Sequence, residues 1–453
     1  MKKTAILTLG AFLLIGGRAT AQENEEVRYN QYGVAVDRQE LKAEARNNIL
    51  VLESKDQSYK VWFDNRVQVD GATFWGKNPD YNPIGNGASL RRVRFAVKTQ
   101  LTKDWYGEVD MDMADGTFEL KDAIIEYDGL KNWEFKMGNF KEEFSMERTS
   151  SSRYLALIER PMVTQALAPS RHLGVQAAFL TEYFRWSGGM FFQTVAGSEE
   201  ITNVQDNNKD FGRSQGYSFT TKAGWMPHTK DRTKGFYIGG KASYRTPKTD
   251  EAPGDYGGVR FSTRNSTSIN RKKYIDTDVI RDVDHNWLYG VEGAAYYKGF
   301  KFQSEWIGTH VTAKDASYNF GGHYFTLGYL LLGGNQHFNV AEGEFTQPGR
   351  GKKWGDIELC LRYDYLDLND NGIWGGSGNN YTAGLNFYIN NFFKFAINFQ
   401  HSDNDRYANG KGKLLIGHDA SGKPTADYKQ AVEKKGKGGV SYNMLAVRFE
   451  IDF

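Results

Sequence analysis

The sequence has a single cysteine among 453 residues, which excludes an intrachain disulfide framework; Cys360 falls in a strand pattern and reads as a small filler. No stretch after the first twenty residues approaches the roughly 18 apolar residues of a membrane helix, and mean hydropathy is −0.61, so a helical membrane protein is excluded. Net charge is also missing. The chain has 57 Lys and Arg against 55 Asp and Glu, and three of the bases (Lys2, Lys3, Arg18) lie in the first 21 residues. Such balance gives no bulk attraction for nucleic acid or for an anionic partner. Proline is scarce at nine residues, whereas glycine reaches 50 and aromatics 14%. That mixture suits β-structure of either a membrane barrel or a secreted β-protein.

The N-terminus is ordered like an export signal. Met1-Lys2-Lys3 is followed by an apolar run from Ala5 to Gly16 and by Ala19-Thr20-Ala21. This predicts a signal peptide over 1–21, cleaved before Gln22. Residues 22–58 are polar and without a sustained period, and read as a periplasmic leader.

From Tyr59 the chain alternates. Val61, Phe63, Val67 and Val69 share one face of a strand, and Asp64, Arg66, Gln68 and Asp70 the other. Val93, Phe95, Val97 and Leu101 oppose Arg92, Arg94, Lys98 and Gln100; Val109 and Met111 oppose Glu108, Asp110 and Asp112. A soluble sandwich alternates in the same way with its apolar face inward, so periodicity leaves barrel and sandwich both open. Strand length favours the barrel: the segments run about 10 residues, enough for a tilted strand to cross the hydrocarbon layer. Short reversals such as Lys298-Gly299 and Asn390-Asn391 alternate with long connections near 71–88, 139–170, 196–215, 247–284 and 402–440. The pattern predicts sixteen strands, starting near residues 59, 89, 104, 118, 132, 171, 184, 216, 234, 285, 300, 318, 353, 378, 392 and 441. One connection, 333–352, is long where parity demands a periplasmic turn. The last strand alternates Leu445, Val447, Phe449, Ile451 and Phe453 with polar residues and stops on an aromatic, which resembles the insertion signal of outer-membrane barrels.

Several stretches carry a family resemblance. Asn65-Arg66-Val67-Gln68-Val69-Asp70, Leu90-Arg91-Arg92-Val93-Arg94-Phe95, Leu120-Lys121-Asp122-Ala123, the run from Gly138 through Ile158-Glu159-Arg160, and Leu366-Asp367-Leu368-Asn369-Asp370 together resemble the phosphate-selective porin O and P family. The resemblance covers most of 59–453 and is strongest over 60–180. It implies an all-β fold: a transmembrane antiparallel β-barrel in the bacterial outer membrane, forming homotrimers among lipid and lipopolysaccharide. It also implies a long third outer loop folded into the lumen, passage of phosphate or other small solutes, and no cofactor. Glu143 departs from the family pattern, standing where a proline is usual. The expected loop, 139–170, balances Lys141, Arg148, Arg153 and Arg160 against Glu142, Glu143, Glu147 and Glu159.

With apolar faces toward lipid, Arg66, Arg92, Arg94 and Lys98 point inward, as does Lys136 on the fifth strand. Lys141, Arg148 and Arg153 join them from the loop. These eight are the expected pore-lining or anion-binding residues, since arginine binds phosphate oxygens in a fork and keeps its charge. A second reading stays open: rows of Arg and Lys beside Glu108, Asp110 and Asp112 form a ladder that braces the wall. The histidines stand in no informative spacing to Ser or Asp, so no enzyme is expected. A barrel that does not conduct and acts as an adhesin through its long outer loops is the alternative.

Overall fold

The computed structural model describes residues 28–37, 40–46, 49–76, 84–195, 215–249, 257–264, 266–269, 273–405, 417–425, 430, 432 and 440–453. The expected signal peptide, most of the loop at 402–440 and the basic Arg271 and Lys272 lie outside them. Residues 1–41 and 42–453 form two units. In the first, Arg28–Tyr29 pairs with Ala35–Val36 in a hairpin whose turn is held by Asn30, its side-chain oxygen accepting from the amides of Tyr32 and Val34.

The second unit is a closed antiparallel barrel of sixteen long strands. They are β1 (Tyr59–Trp75), β2 (Gly87–Leu101), β3 (Trp105–Asp112), β4 (Glu119–Leu130), β5 (Trp133–Lys141), β6 (Arg171–Leu180), β7 (Phe184–Phe191) and β8 (Ser218–Trp225). The circle continues with β9 (Lys234–Arg245), β10 (Ile280–Tyr297), β11 (Phe300–Ala313), β12 (Ser317–Leu330), β13 (Asp356–Asp370), β14 (Ile373–Tyr388), β15 (Phe393–Asp405) and β16 (Val440–Asp452). β16 closes on β1, with Asn443 opposite Trp75 and Asp452 opposite Arg66. Closure removes the unpaired edges that lipid does not tolerate. The sheet starts earlier than alternation suggests, and Ile49–Ser54 lies against the start of β1, Leu52 opposite Val61.

The two faces settle barrel against sandwich. Outward positions are apolar and exposed, Val109 at 45%, Met137 at 50% and Val291 at 57%, while inward Arg66, Gln68, Asp70 and Glu292 are buried. A soluble protein does the reverse; only a hydrocarbon solvent makes this arrangement favourable. Aromatic pairs ring both ends: Trp105–Tyr127 (4.8 Å) and Trp133–Phe179 (5.2 Å) at the end of short turns, Tyr244–Trp287 (5.1 Å) and Tyr363–Tyr381 (5.2 Å) at the loop end.

The turns follow from residues that accept positive φ. Thr102 and Lys103 (φ 56° and 68°) reverse β2 into β3, and Asn371-Gly372 (φ 44° and 87°) joins β13 to β14 in two residues. This last reversal corrects the expected start of β14 from 378 to 373. Gly375, Gly376 and Gly378 are strand residues beside an irregularity in the register between Asp367 and Asn369.

The lumen is not empty. Residues 142–170 cross it with two short helices, α1 (Met146–Thr149) and α2 (Met162–Leu167). From the loop end, 257–264 and 273–279 add Phe261 and Ile275 to a cluster with Met162, Val163 and Leu167. From the turn end, the connection 331–355 folds upward through a small hairpin, Phe338–Asn339 on Glu344–Phe345. Phe338 and Phe345 pack on Tyr237, Tyr296 and Met146. The long connection at 333–352 is therefore one turn inserted into the barrel, with no further wall strand in it.

Candidate pore

The inserts fill the lumen on the side of β9–β16 and leave a cavity of about 650 Å³ against β1–β7. The wall strands supply its charges through the pleat: every second residue points inward. On β2 a bulge sets Gln68 opposite Arg92 and Val69 opposite Leu90, leaving Arg91 unpaired between them. Its side chain bonds Glu159 in the crossing loop, an inward position that strict alternation misses.

Seven of the eight expected residues line this cavity: Arg66, Arg92, Arg94, Lys98, Lys136, Lys141 and Arg153. Arg148 does not. Its guanidinium turns back to the carbonyls of Thr164 (2.5 Å) and Gln165 (3.3 Å) within its own loop. Burial, with Arg160 and Arg171 nearby, lowers its pKa to about 9. Arg160, Arg171 and Arg185 also face the cavity, as do Glu342 and Glu344 from the inserted turn. In sequence, Arg171 and Arg185 stand among small and apolar neighbours with no charged row to mark them, and the turn gives no sign of its insertion.

Most of the bases are paired. Arg94 meets Asp110 (2.8 Å) and Asp112 (3.3 Å), Lys98 meets Asp64 (2.9 Å) and Glu108 (3.6 Å), and Lys136 meets Glu126 (3.0 Å) and Glu134 (3.1 Å). Arg171 grips Asp122 with both arms (2.9 and 2.6 Å), and Arg66 meets Asp452 (2.9 Å). The bracing ladder is thus present. Eleven Lys or Arg and ten Asp or Glu line the cavity, so its sum is close to zero.

Besides Lys103 in the turn between β2 and β3, three lining cations stand outside the ladder, without an ion pair among the described residues. Arg92 donates to Gln68 Oε1 (2.6 Å). Lys141 donates to the carbonyls of Thr149 (2.6 Å) and Ser150 (3.3 Å). Arg160 donates to those of Glu147 (2.7 Å) and Ser150 (2.6 Å). Lys141 and Arg160 share the Ser150 carbonyl, which places them together where the loop meets the wall. Neutral carbonyls satisfy their hydrogen bonds, so no acid is in direct contact with them.

The loop is held by helix N-termini set on wall carboxylates. Glu292 and Glu305 lie directly opposite each other on β10 and β11, fully buried, with Lys241 bonded to both. Glu292 accepts from the amide of Met146 (3.0 Å); Glu305 accepts from the amide of Glu147 (2.7 Å) and from Ser145 Oγ (3.1 Å). At α2 the amide of Met162 donates to Asp364 (3.0 Å). The first amides of a helix have no partner in the helix itself, so a carboxylate there satisfies them. Glu143, in the family's proline position, pairs with Arg185 and accepts from Gln176 (2.9 Å). Burial would raise its pKa, but Arg185 overrides that and holds it at about 2.

Comparison with known proteins agrees with this architecture. The sequence profile of the phosphate-selective porin O and P family matches residues 62–421. An uncharacterised protein of Caulobacter vibrioides is 27% identical over 355 residues, 76% of this chain and 69% of that one. Porin O of Pseudomonas aeruginosa is 20% identical over 397 residues, 80% and 87% of the two chains. Among solved structures, the outer-membrane protein OmpT of Vibrio cholerae, in a trimer form, superposes with a TM-score of 0.51 at 9% identity, covering 87% of this chain and all of the other. A barrel turned apolar side out, a loop laid across its lumen and a profile match over most of its length place this chain in the phosphate-selective porin O and P family, as a porin of the bacterial outer membrane.

Proposed function

We propose that this porin lets small hydrophilic solutes diffuse passively with a preference for anions, phosphate among them, and that it works as a homotrimer among lipid and lipopolysaccharide. The observation that carries the anion preference is the group of cations without an ion pair, Arg92, Lys141 and Arg160, gathered beside the crossing loop on a lining whose other bases, Lys103 apart, are each paired with an acid. A single anion about 5 Å from one such cation gains about 3 kcal/mol at an effective dielectric of 20. That is strong enough to draw it in and weak enough to release it. The homotrimer is supported by the trimer form in which the superposed OmpT of Vibrio cholerae was solved.

Planar-bilayer recordings test both parts. The purified barrel should conduct in steps, and its reversal potential in a salt gradient should favour chloride or phosphate. Lys141→Ala and Arg160→Ala should each weaken that preference more than Arg171→Ala combined with Asp122→Ala, which removes a base and its acid together and leaves the net charge of the lining unchanged. A cation-selective wild type would refute the anion preference while leaving the barrel intact.

A further inference from the structure

A second cavity of about 630 Å³ opens at the turn end of the barrel, lined by Arg350, Lys352 and Lys353 of the inserted turn and by Phe392 and Phe453. It shares Asp64, Arg153 and Tyr154 with the cavity of the candidate pore. The two spaces therefore meet across those three residues. Arg153, carried by the crossing loop, bonds Asp64 on β1 and lies 3.6 Å from Asp452 on β16. Each acid has a further cation of its own: Lys98 on Asp64 (2.9 Å) and Arg66 on Asp452 (2.9 Å). The chain Lys98–Asp64–Arg153–Asp452–Arg66 forms a bar of alternating charge between the two cavities.

We infer that the Arg153 bridge to Asp64 and Asp452 is a partition across a forked periplasmic exit, and that Arg153 sets the bore of the pore and does not act as a ligand for permeating anions. The inference rests on the porin reading. Both acids within reach of Arg153 are wall residues, so its charge is spent on the bridge; the unpaired cations lie elsewhere on the lining. The branch behind it leads past exposed Lys352 and Lys353 to the periplasmic rim. Removing the guanidinium leaves neither acid alone, since Lys98 and Arg66 remain. The wall thus keeps its pairs and the variant keeps its fold.

The test uses the full-length barrel in planar bilayers, wild type and Arg153→Ala, each also carrying Lys352→Cys. The one native thiol, Cys360, is fully buried and gives no background with a bulky charged thiol reagent. Arg153→Ala should raise unit conductance, by up to about twofold for a second exit of equal bore, and should admit larger neutral polymers. Its reversal potential should move less than that of Lys141→Ala. Reagent at residue 352 should cut the current in the Arg153→Ala background and leave it untouched in the wild-type background. An unchanged or lowered conductance in folded Arg153→Ala would overturn the partition, as would block at residue 352 with Arg153 in place. Loss of anion preference without a gain in conductance would return Arg153 to the role of ligand. A wild-type barrel that passes no current would overturn the porin reading, and is told apart because it needs no variant.

Discussion

Replacing Glu305 by alanine should release the crossing loop without unfolding the barrel. Glu305 accepts from the amide of Glu147, from Ser145 Oγ and from Tyr324 Oη (2.9 Å), and it bonds Lys241. Lys241 keeps Glu292 at 2.8 Å, a carboxylate it shares with Lys222 (2.7 Å), so neither lysine is left without an acid. The loss falls on the loop: one helix amide and one hydroxyl are left without their acceptor, at about 1–3 kcal/mol each when buried. The two together amount to roughly 2–6 kcal/mol, about 30-fold or more in the ratio of released to docked loop. Strand pairing is untouched, because every partner of Glu305 named here is a side chain or a loop amide. Single-channel traces of Glu305→Ala should therefore show added noise and substates, while the barrel still shifts on a gel when heated. Glu305→Gln, which keeps an acceptor oxygen for the Glu147 amide, should lie between the two. Quiet traces with wild-type unit conductance in Glu305→Ala would refute the idea that the wall carboxylates hold the loop.

Two further outcomes follow from other sites. Burial and the neighbouring Glu342 push the pKa of Glu344 up to about 8, so it is neutral at pH 7 and gains its charge as pH rises through 8; anion preference should fall between pH 7 and pH 9, and Glu344→Gln should remove most of that fall, measured by reversal potential. Gly138 has φ 122°, and a Cβ there would stand 1.9 Å from the carbonyl oxygen of Ala123 on β4, so Gly138→Val should separate β4 from β5 and abolish the folded, heat-modifiable form.

The wall was legible because its rule is local. A period of two, sixteen times over, needs no knowledge of distant partners, and the outward valines and inward charges of β1–β3 fall where alternation puts them. The filling of the lumen was harder, since it depends on contacts between residues far apart in sequence. A signal for it did exist. Leu288, Ile307, Phe320, Leu366 and Leu368 are apolar at inward positions of β10–β13, beside outward Trp287, Trp306 and Tyr365. Strands apolar on both faces, in a barrel that holds water, mark where something must cover the inner face. The crossing loop and residues 257–264 and 273–279 do so. The insertion of 331–355 is marked in the same way by the inward Tyr237 and Tyr296. Arg148 was misplaced because loop residues have no pleat to fix their direction.

Near-zero charge and anion preference are compatible once pairing is separated from composition. A paired Arg and Asp on adjacent strands present a dipole whose field falls off within a few ångströms, and the pair is held rigid by its own geometry. Arg94–Asp110 and Arg171–Asp122 are of this kind, and they brace the thin wall of β2–β6. A cation satisfied by carbonyls has no acid in contact with it to reduce it to such a dipole. In this lumen the paired bases outnumber the unpaired, yet the unpaired Lys141 and Arg160 converge on one carbonyl at the narrow contact between loop and wall. Selectivity is then decided by which charges are left over and where the loop sets them; the total over the chain has little bearing on it.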